Sequence, residues 1–342
     1  MVSHVDCAVG HCSRIFLMYE PSLAGNVGFL VLFAVLIPLT LALGIKYRSS
    51  IFATTIATGL ALEVLGYIGR VLLHNNPTER SAFILFLIGT VTAPTLICGA
   101  IFIVIPRVVA VYGEEFRSWK PIWYPFLFRA LTAASLLLQL AGGLLSTIRD
   151  DLDEINTGIR ILVVGLAVQL LALAIFVGHA TLFAIAVRTR HHALDMKFAG
   201  IYNSGSFKAF VFAFTFATFL LIFRTAYRLI VIAEGYGSSI AQSETLLLVL
   251  DGTMVLLATL LMLAFFPGRI LGNSFPQASN WRISKTSPQP ILPAPYEMPS
   301  TRSSPTYNRM SIKSVTINYS PRKSQYPAPI PQSSMVDNDA LW

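Results

Sequence analysis

FKAFVFAFTFATFLLIFRTAYRLIVI, residues 207–232, is followed after a short polar stretch by ETLLLVLDGTMVLLATLLMLAFF, residues 244–266. Each segment exceeds the roughly 20 apolar residues that a helix needs to cross hydrocarbon, yet between them they carry Arg224, Arg228, Glu244 and Asp251. An ionised side chain at the bilayer centre costs about 3 kcal/mol on insertion scales, so charges that persist there pair with one another or line a polar cavity. Working outward, further apolar segments at 25–45, 51–73, 81–105, 122–146 and 160–187 join 207–232 and 245–267 to make seven spans. The competing count is six, because the fourth segment opens with Pro121 and Pro125 and carries Arg129. Arg129 lies close enough to that end for its side chain to snorkel to the interface, which favours seven. The fold class is therefore all-α: a polytopic membrane protein built as a seven-transmembrane helix bundle.

The composition agrees. The 342 residues are 54% hydrophobic and 12% charged, with a mean hydropathy of +0.65, where soluble domains carry about 25% charged residues. An ordinary soluble enzyme is excluded. The N-terminus has no basic segment leading into a short apolar core and a small-residue cleavage site, so the first span is expected to serve as its own insertion signal. Lys46, Arg48, Arg107, Arg117, Lys120, Arg188, Arg190 and Lys197 fall in loops one, three and five, against Arg14, Arg80 and Arg149 on the other side. The positive-inside rule then places the N-terminus outside and the C-terminus in the cytosol. It also accounts for the net charge of +8 without a nucleic-acid partner.

Three regions follow: a short extracellular segment at 1–24, a membrane domain at 25–268, and a Pro/Ser-rich tail at 269–342 with 11 of the 19 prolines. The tail composition predicts disorder. Its Ser287-Pro288, Ser304-Pro305 and Ser320-Pro321 pairs are candidate sites for a kinase, and the sequon at Asn318 falls on the cytosolic side, where it stays unmodified. Cys7 and Cys12 form either a disulfide or two free thiols. The acidic run Asp150, Asp151, Asp153 and Glu154 reads as a solvated outer loop ahead of a cation site. Pro38 and Pro94 sit inside spans, where neighbouring helices can satisfy the freed carbonyls.

Glu63 and Arg70 in the second span complete a set of six membrane charges, three acidic and three basic. At 1.5 Å per residue, Arg224 and Asp251 lie about 13 and 12 Å below the outer boundary, level on antiparallel helices. Arg228, four residues from Arg224, shares its face and points toward Glu244 or water. Glu63 and Arg70, two turns apart, share a face of their own. One polar pocket among spans two, six and seven is the economical reading, with Tyr67 and Tyr227 as hydroxyls beside the charges and Gln139 and Gln169 as further contacts. The alternative is that the charges only hold helices together, but polar contacts between membrane helices average under about 1 kcal/mol, a weak reason to keep so many.

Over residues 19–268 the sequence resembles the fungal lipid-translocating exporter family of RTA-like proteins. The resemblance rests on Tyr19-x-Pro21 with Asn26, Phe29 and Phe33; Glu63-x-x-Gly66-Tyr67-x-x-Arg70; Ala93-Pro94; Ser135 with Gln139-x-x-Gly142-Gly143; Gly158 to Gly165-x-x-x-Gln169; and Arg224-x-x-Tyr227-Arg228 with Gly235, Glu244, Asp251 and Met254. It implies a plasma-membrane protein that moves amphipathic lipids such as sphingoid long-chain bases and confers stress resistance against toxic amphiphiles. Departures mark a divergent member: Thr132 stands where the family usually has an intramembrane Asp, and Val231, Leu248, Phe102, Pro106-Arg107 and Phe266 replace other family residues.

On this reading Asp251, Glu244 or Glu63 holds a cationic amine, the arginines face a phosphate or keep the acids ionised, and membrane lipid receives the tail. No P-loop supplies ATP coupling, and no cofactor or metal is expected. The alternative function is a seven-helix lipid sensor or receptor-like protein with a regulatory cytosolic tail, although the third span lacks an Asp-Arg-Tyr switch and the seventh an Asn-Pro-x-x-Tyr. An enzyme is disfavoured: a zinc hydrolase needs several converging histidines, and His179 is the single histidine within a span, with His191-His192 in an inner loop.

Overall fold

The computed structural model describes residues 5–8, 11–14, 19–112, 123–149, 151–189 and 199–271. The tail beyond residue 271 with its Ser-Pro pairs and Asn318, Asp150 of the acidic run, His191-His192, and the loop cations Arg117, Lys120, Arg190 and Lys197 lie outside these. A short antiparallel hairpin of Val5–Ala8 (β1) and His11–Arg14 (β2) sets Cys7 opposite Cys12 in the backbone register. From residue 23 onward the described regular structure is helical: α1 Leu23–Lys46, α2 Ser50–Asn75, α3 Arg80–Tyr112, α4 Trp123–Ile148, α5 Leu152–Thr189, the short α6 Ala199–Tyr202, and α7 Gly205–Glu234. The last crossing is broken into α8 Glu244–Leu246, a π-helical turn Leu247–Thr253, α9 Met254–Ala264 and α10 Pro267–Leu271. Among the described residues seven helices are long and apolar enough to cross a membrane, as the sequence predicts.

Helices are obligatory here because hydrocarbon offers no partner for a free N–H or C=O. Ser22 caps α1 by accepting from the Gly25 amide and Ser204 caps α7 by accepting from the Phe207 amide, which satisfies donors orphaned at helix starts. Buried threonines dispose of their hydroxyls inside their own helices, Thr40 to the Leu36 carbonyl and Thr225 to the Leu221 carbonyl, each at 2.7 Å. The acidic run differs from its expected loop: α5 begins at Leu152, so Asp153 and Glu154 occupy its first turn. Negative charge there complements the helix dipole, and Glu154 meets Arg149 at 3.4 Å.

Two helix pairs meet backbone to backbone. A Cβ added to Gly89 of α3 would stand 2.6 Å from the Gly66 amide of α2, and one added to Gly69 would stand 2.5 Å from the Phe86 amide. Across α4 and α5, a Cβ on Gly142 would lie 2.7 Å from the Gly158 carbonyl, and one on Gly158 would lie 2.8 Å from Ser146 Cα. Small residues at such crossings replace the hydrophobic drive that lipid abolishes. Helix α3 is the most enclosed span and touches α2, α4, α5 and α7.

The apolar interior is split. One cluster holds Leu60, Leu221 and Val255, and a second holds Leu73, Ile232 and Leu247. Glu63 and Arg70 on α2, Arg224 and Arg228 on α7, and Asp251 in the π turn fall between the two along every chain direction. The charges form a layer through the core, nearer the end of the bundle where α1 begins.

Candidate functional site

At that end Arg70 is the centre of a first group. Its Nη2 lies 3.1 Å from Glu244 Oε1 and donates to Tyr19 Oη at 3.1 Å, while its Nε donates to Asn26 Oδ1 at 2.7 Å. Glu244 Oε1 also accepts from the Ser22 amide at 2.8 Å and from Asn26 Nδ2 at 3.2 Å. The Arg70 side chain is fully buried, whereas that of Glu244 is 20% exposed, so this group reaches the surface of the bundle. Asn26 ties it to α1 by a further bond from Nδ2 to the Ser22 carbonyl at 2.7 Å.

A second group lies deeper. Asp251 presents one carboxylate oxygen to each arginine: Oδ1 is 2.6 Å from Arg224 Nε, an ion pair without hydrogen-bond alignment, and Oδ2 accepts from Arg228 Nη2 at 2.7 Å. Thr90 of α3 receives both guanidiniums, its carbonyl from Arg224 and its hydroxyl from Arg228 at 2.6 Å. All three charged side chains are at most 3% exposed. Arg224 and Asp251 are paired, as expected from sequence. Arg228 departs from expectation, turning to Asp251 because Arg70 already holds Glu244. The π turn widens the helix at the residue that must serve two arginines, and such turns recur at functional sites.

Glu63 joins no pair. It is 2% exposed, lies in electrostatic range of Asp251, Arg224 and Arg228, and makes no hydrogen bond or ion pair with any described residue. With Glu63 ionised the deep group sets two acidic against two basic side chains. Tyr67 stacks between Phe29 and Phe33, ring centroids 5.4 and 5.6 Å away, and a Cβ on Gly252 would collide with its hydroxyl. Besides Arg224 Nε, which is ion-paired to Asp251, five buried donors around these groups have no hydrogen-bond partner: Tyr67 Oη, Tyr227 Oη, Arg70 Nη1, Arg224 Nη1 and Arg228 Nε. Native interiors keep few such groups, each costing about 1–3 kcal/mol. Phe86 packs beneath two of the cations, 5.1 Å from the Arg70 and 5.4 Å from the Arg228 guanidinium carbon.

Gln139 and Gln169 are not part of this site. They form a separate cluster among α3, α4 and α5, with Gln139 Nε2 donating to Gln169 Oε1 and to Ser135 Oγ at 2.8 Å, and Thr95 donating to both carbonyl oxygens. Thr132 spends its hydroxyl on the Phe128 carbonyl at 2.8 Å. Sequence reasoning missed Asn26, Thr90 and the Ser22 amide as network members; Tyr19 and Asn26 stood in the family motif, but nothing marked a threonine in an apolar span. It also missed a crevice of about 500 Å³ between α3, α5 and α7, lined by Ile101, Phe176, His179, Phe210, Phe214 and Thr218 among others. Among the described residues no group of three or more His, Cys, Asp or Glu is placed to hold a metal.

Comparison with known proteins supplies what geometry alone does not. The family described as RTA1 like protein matches residues 56–274. The Saccharomyces cerevisiae sphingoid long-chain base transporter RSB1 is 27% identical over 276 residues, 72% of this chain and 72% of the transporter. Protoporphyrin uptake protein 1 of the same yeast is 26% identical over 68% of this chain and 73% of its own length, and Protein RTA1 is 22% identical over 61% and 63%. No solved structure matches.

Proposed function

Because the chain belongs to the RTA1-like family, we propose that it is a plasma-membrane, transporter-like protein that moves amphipathic lipids of the sphingoid long-chain base class, with its head-group site at the charges shared by α2, α7 and the last crossing. The orientation read from loop charges puts the end where α1 begins, and so this site, toward the outside. The observation that carries the reading is the buried layer of charges with five unpartnered donors and one unpaired carboxyl. An amino-alcohol head group offers a cation for an acid and oxygen acceptors for guanidinium and tyrosine donors, and its alkyl chain is at home in hydrocarbon. A layer that served stability alone would leave fewer donors unmatched. The name of the RSB1 relative supports the substrate class.

Cells that overproduce the protein are expected to clear a fluorescent long-chain base faster and to tolerate more of it than control cells. Arg224→Ala and Asp251→Ala should abolish both gains where immunoblotting shows the variant in the membrane. Clearance and tolerance that do not respond to the wild-type protein would overturn the proposal.

A further inference from the structure

Three membrane carboxyls are available to hold a lipid cation, and the structure separates them. Asp251 is committed to two guanidiniums and Glu244 to Arg70, Asn26 and the Ser22 amide. Glu63 remains, buried at 2% exposure and bonded to nothing described. Arg224 and Arg228 lie in electrostatic range of Glu63 but neither is bonded to it; a carboxylate without a bonded partner in a low-dielectric interior favours taking one up, and the two cations that can come and go are a proton and a lipid ammonium. We infer that Glu63 is an exchange site at which the two replace one another. This rests on the reading of the substrate as an amphipathic amine.

The exchange balances. A Glu63 carboxylic acid meets an ammonium head group, the O–H proton leaves to water, and the carboxylate pairs with the ammonium; departure of the lipid lets the proton return. The net charge of the deep group with its ligand is the same before and after, so the lipid enters without adding a charge to the hydrocarbon interior. The groups facing Glu63 are consistent with this. Arg224 and Arg228 come from α7, Asp251 from the π turn, and Tyr67 from its own helix. Asp251 offsets one arginine and leaves the other, so the group carries one net positive charge with either cation on Glu63, and the ammonium enters as a replacement for the proton. Tyr67 Oη and Arg224 Nη1, both unpartnered, supply donors for the oxygens of the arriving head group. Exchange of this kind provides a way to couple lipid movement to a pH difference, in a chain with no nucleotide-binding loop.

The test uses a permanently charged probe, so that any proton released comes from the protein. Dodecyltrimethylammonium is titrated onto the full-length protein in a non-ionic detergent, in weakly buffered solution near neutral pH with an indicator dye. The wild type is expected to release about one proton per probe bound. Glu63→Gln, the same shape without the proton, should release none and bind at least tenfold more weakly, while Glu63→Asp should restore release. Thermal unfolding of each variant checks that it is folded. Binding to wild type without proton release, or release from Glu63→Gln equal to wild type, would overturn the exchange and leave the transport reading standing. No binding to the wild type would overturn the amine-substrate reading together with the exchange.

Discussion

Helix α7 takes part in two regions that differ in kind. Toward its C-terminus Arg224 and Arg228 lock it to the π turn and to α3 through Asp251 and Thr90. Six residues earlier, about 9 Å along the axis, Thr218 and then Phe214 and Phe210 face the crevice of about 500 Å³ shared with α3 and α5. The difference follows from the solvent. Lipid tails are as good a surrounding for Phe210 as another phenylalanine is, so nothing drives an apolar wall to close. A guanidinium finds no substitute in lipid and pulls its partners in. The charges are tied to one another, while this one apolar wall beside the packed core is left open.

Breaking the tie is the most severe test of that contrast. Asp251→Ala removes the carboxylate paired with both Arg224 and Arg228 and is expected to cost about 3–5 kcal/mol, read as a large fall in thermal midpoint in detergent; an unchanged midpoint would mean that the deep group holds nothing together. Arg70→Ala attacks the group that reaches the surface. Glu244 keeps the Ser22 amide and Asn26 and is partly exposed, so the expected loss is about 1–3 kcal/mol, and a loss equal to that of Asp251→Ala would erase the distinction between the two groups. The double change Gln139→Leu with Gln169→Leu removes an uncharged cluster, and at about 0.6 kcal/mol per interhelical contact it should cost less than either charge variant. Smallest of all, Ala180→Leu puts an isopropyl group into the crevice and should shift stability by no more than about 0.5 kcal/mol, as for a surface position. A larger destabilisation would show that wall to be packed.

Much of this was legible in the sequence, for reasons specific to particular residues. The seven crossings follow from apolar length, and the Arg224–Asp251 pair from counting turns on antiparallel helices. The destination of Arg228 was not legible, because a π turn adds a residue to the helix in a way that no apolar pattern records, and because Glu244 is claimed from across the bundle by Arg70. Gln139 and Gln169 could be placed at a depth but not around the circumference, and it is their helix faces that separate them from the charges. Thr90 contributes a backbone carbonyl, which every residue has. The crevice is a property of where α3, α5 and α7 diverge, and divergence leaves no mark in composition.

The glycine crossings carry a mechanical consequence. With Gly89 resting on the Gly66 backbone, and Gly142 on that of Gly158, α2 with α3 and α4 with α5 meet at those points with no side chain between the backbones, and interiors packed this closely switch between discrete arrangements instead of deforming smoothly. Along the seams where α7 meets its neighbours no such glycine contact occurs among the described residues. Those seams hold both the charge layer and the crevice.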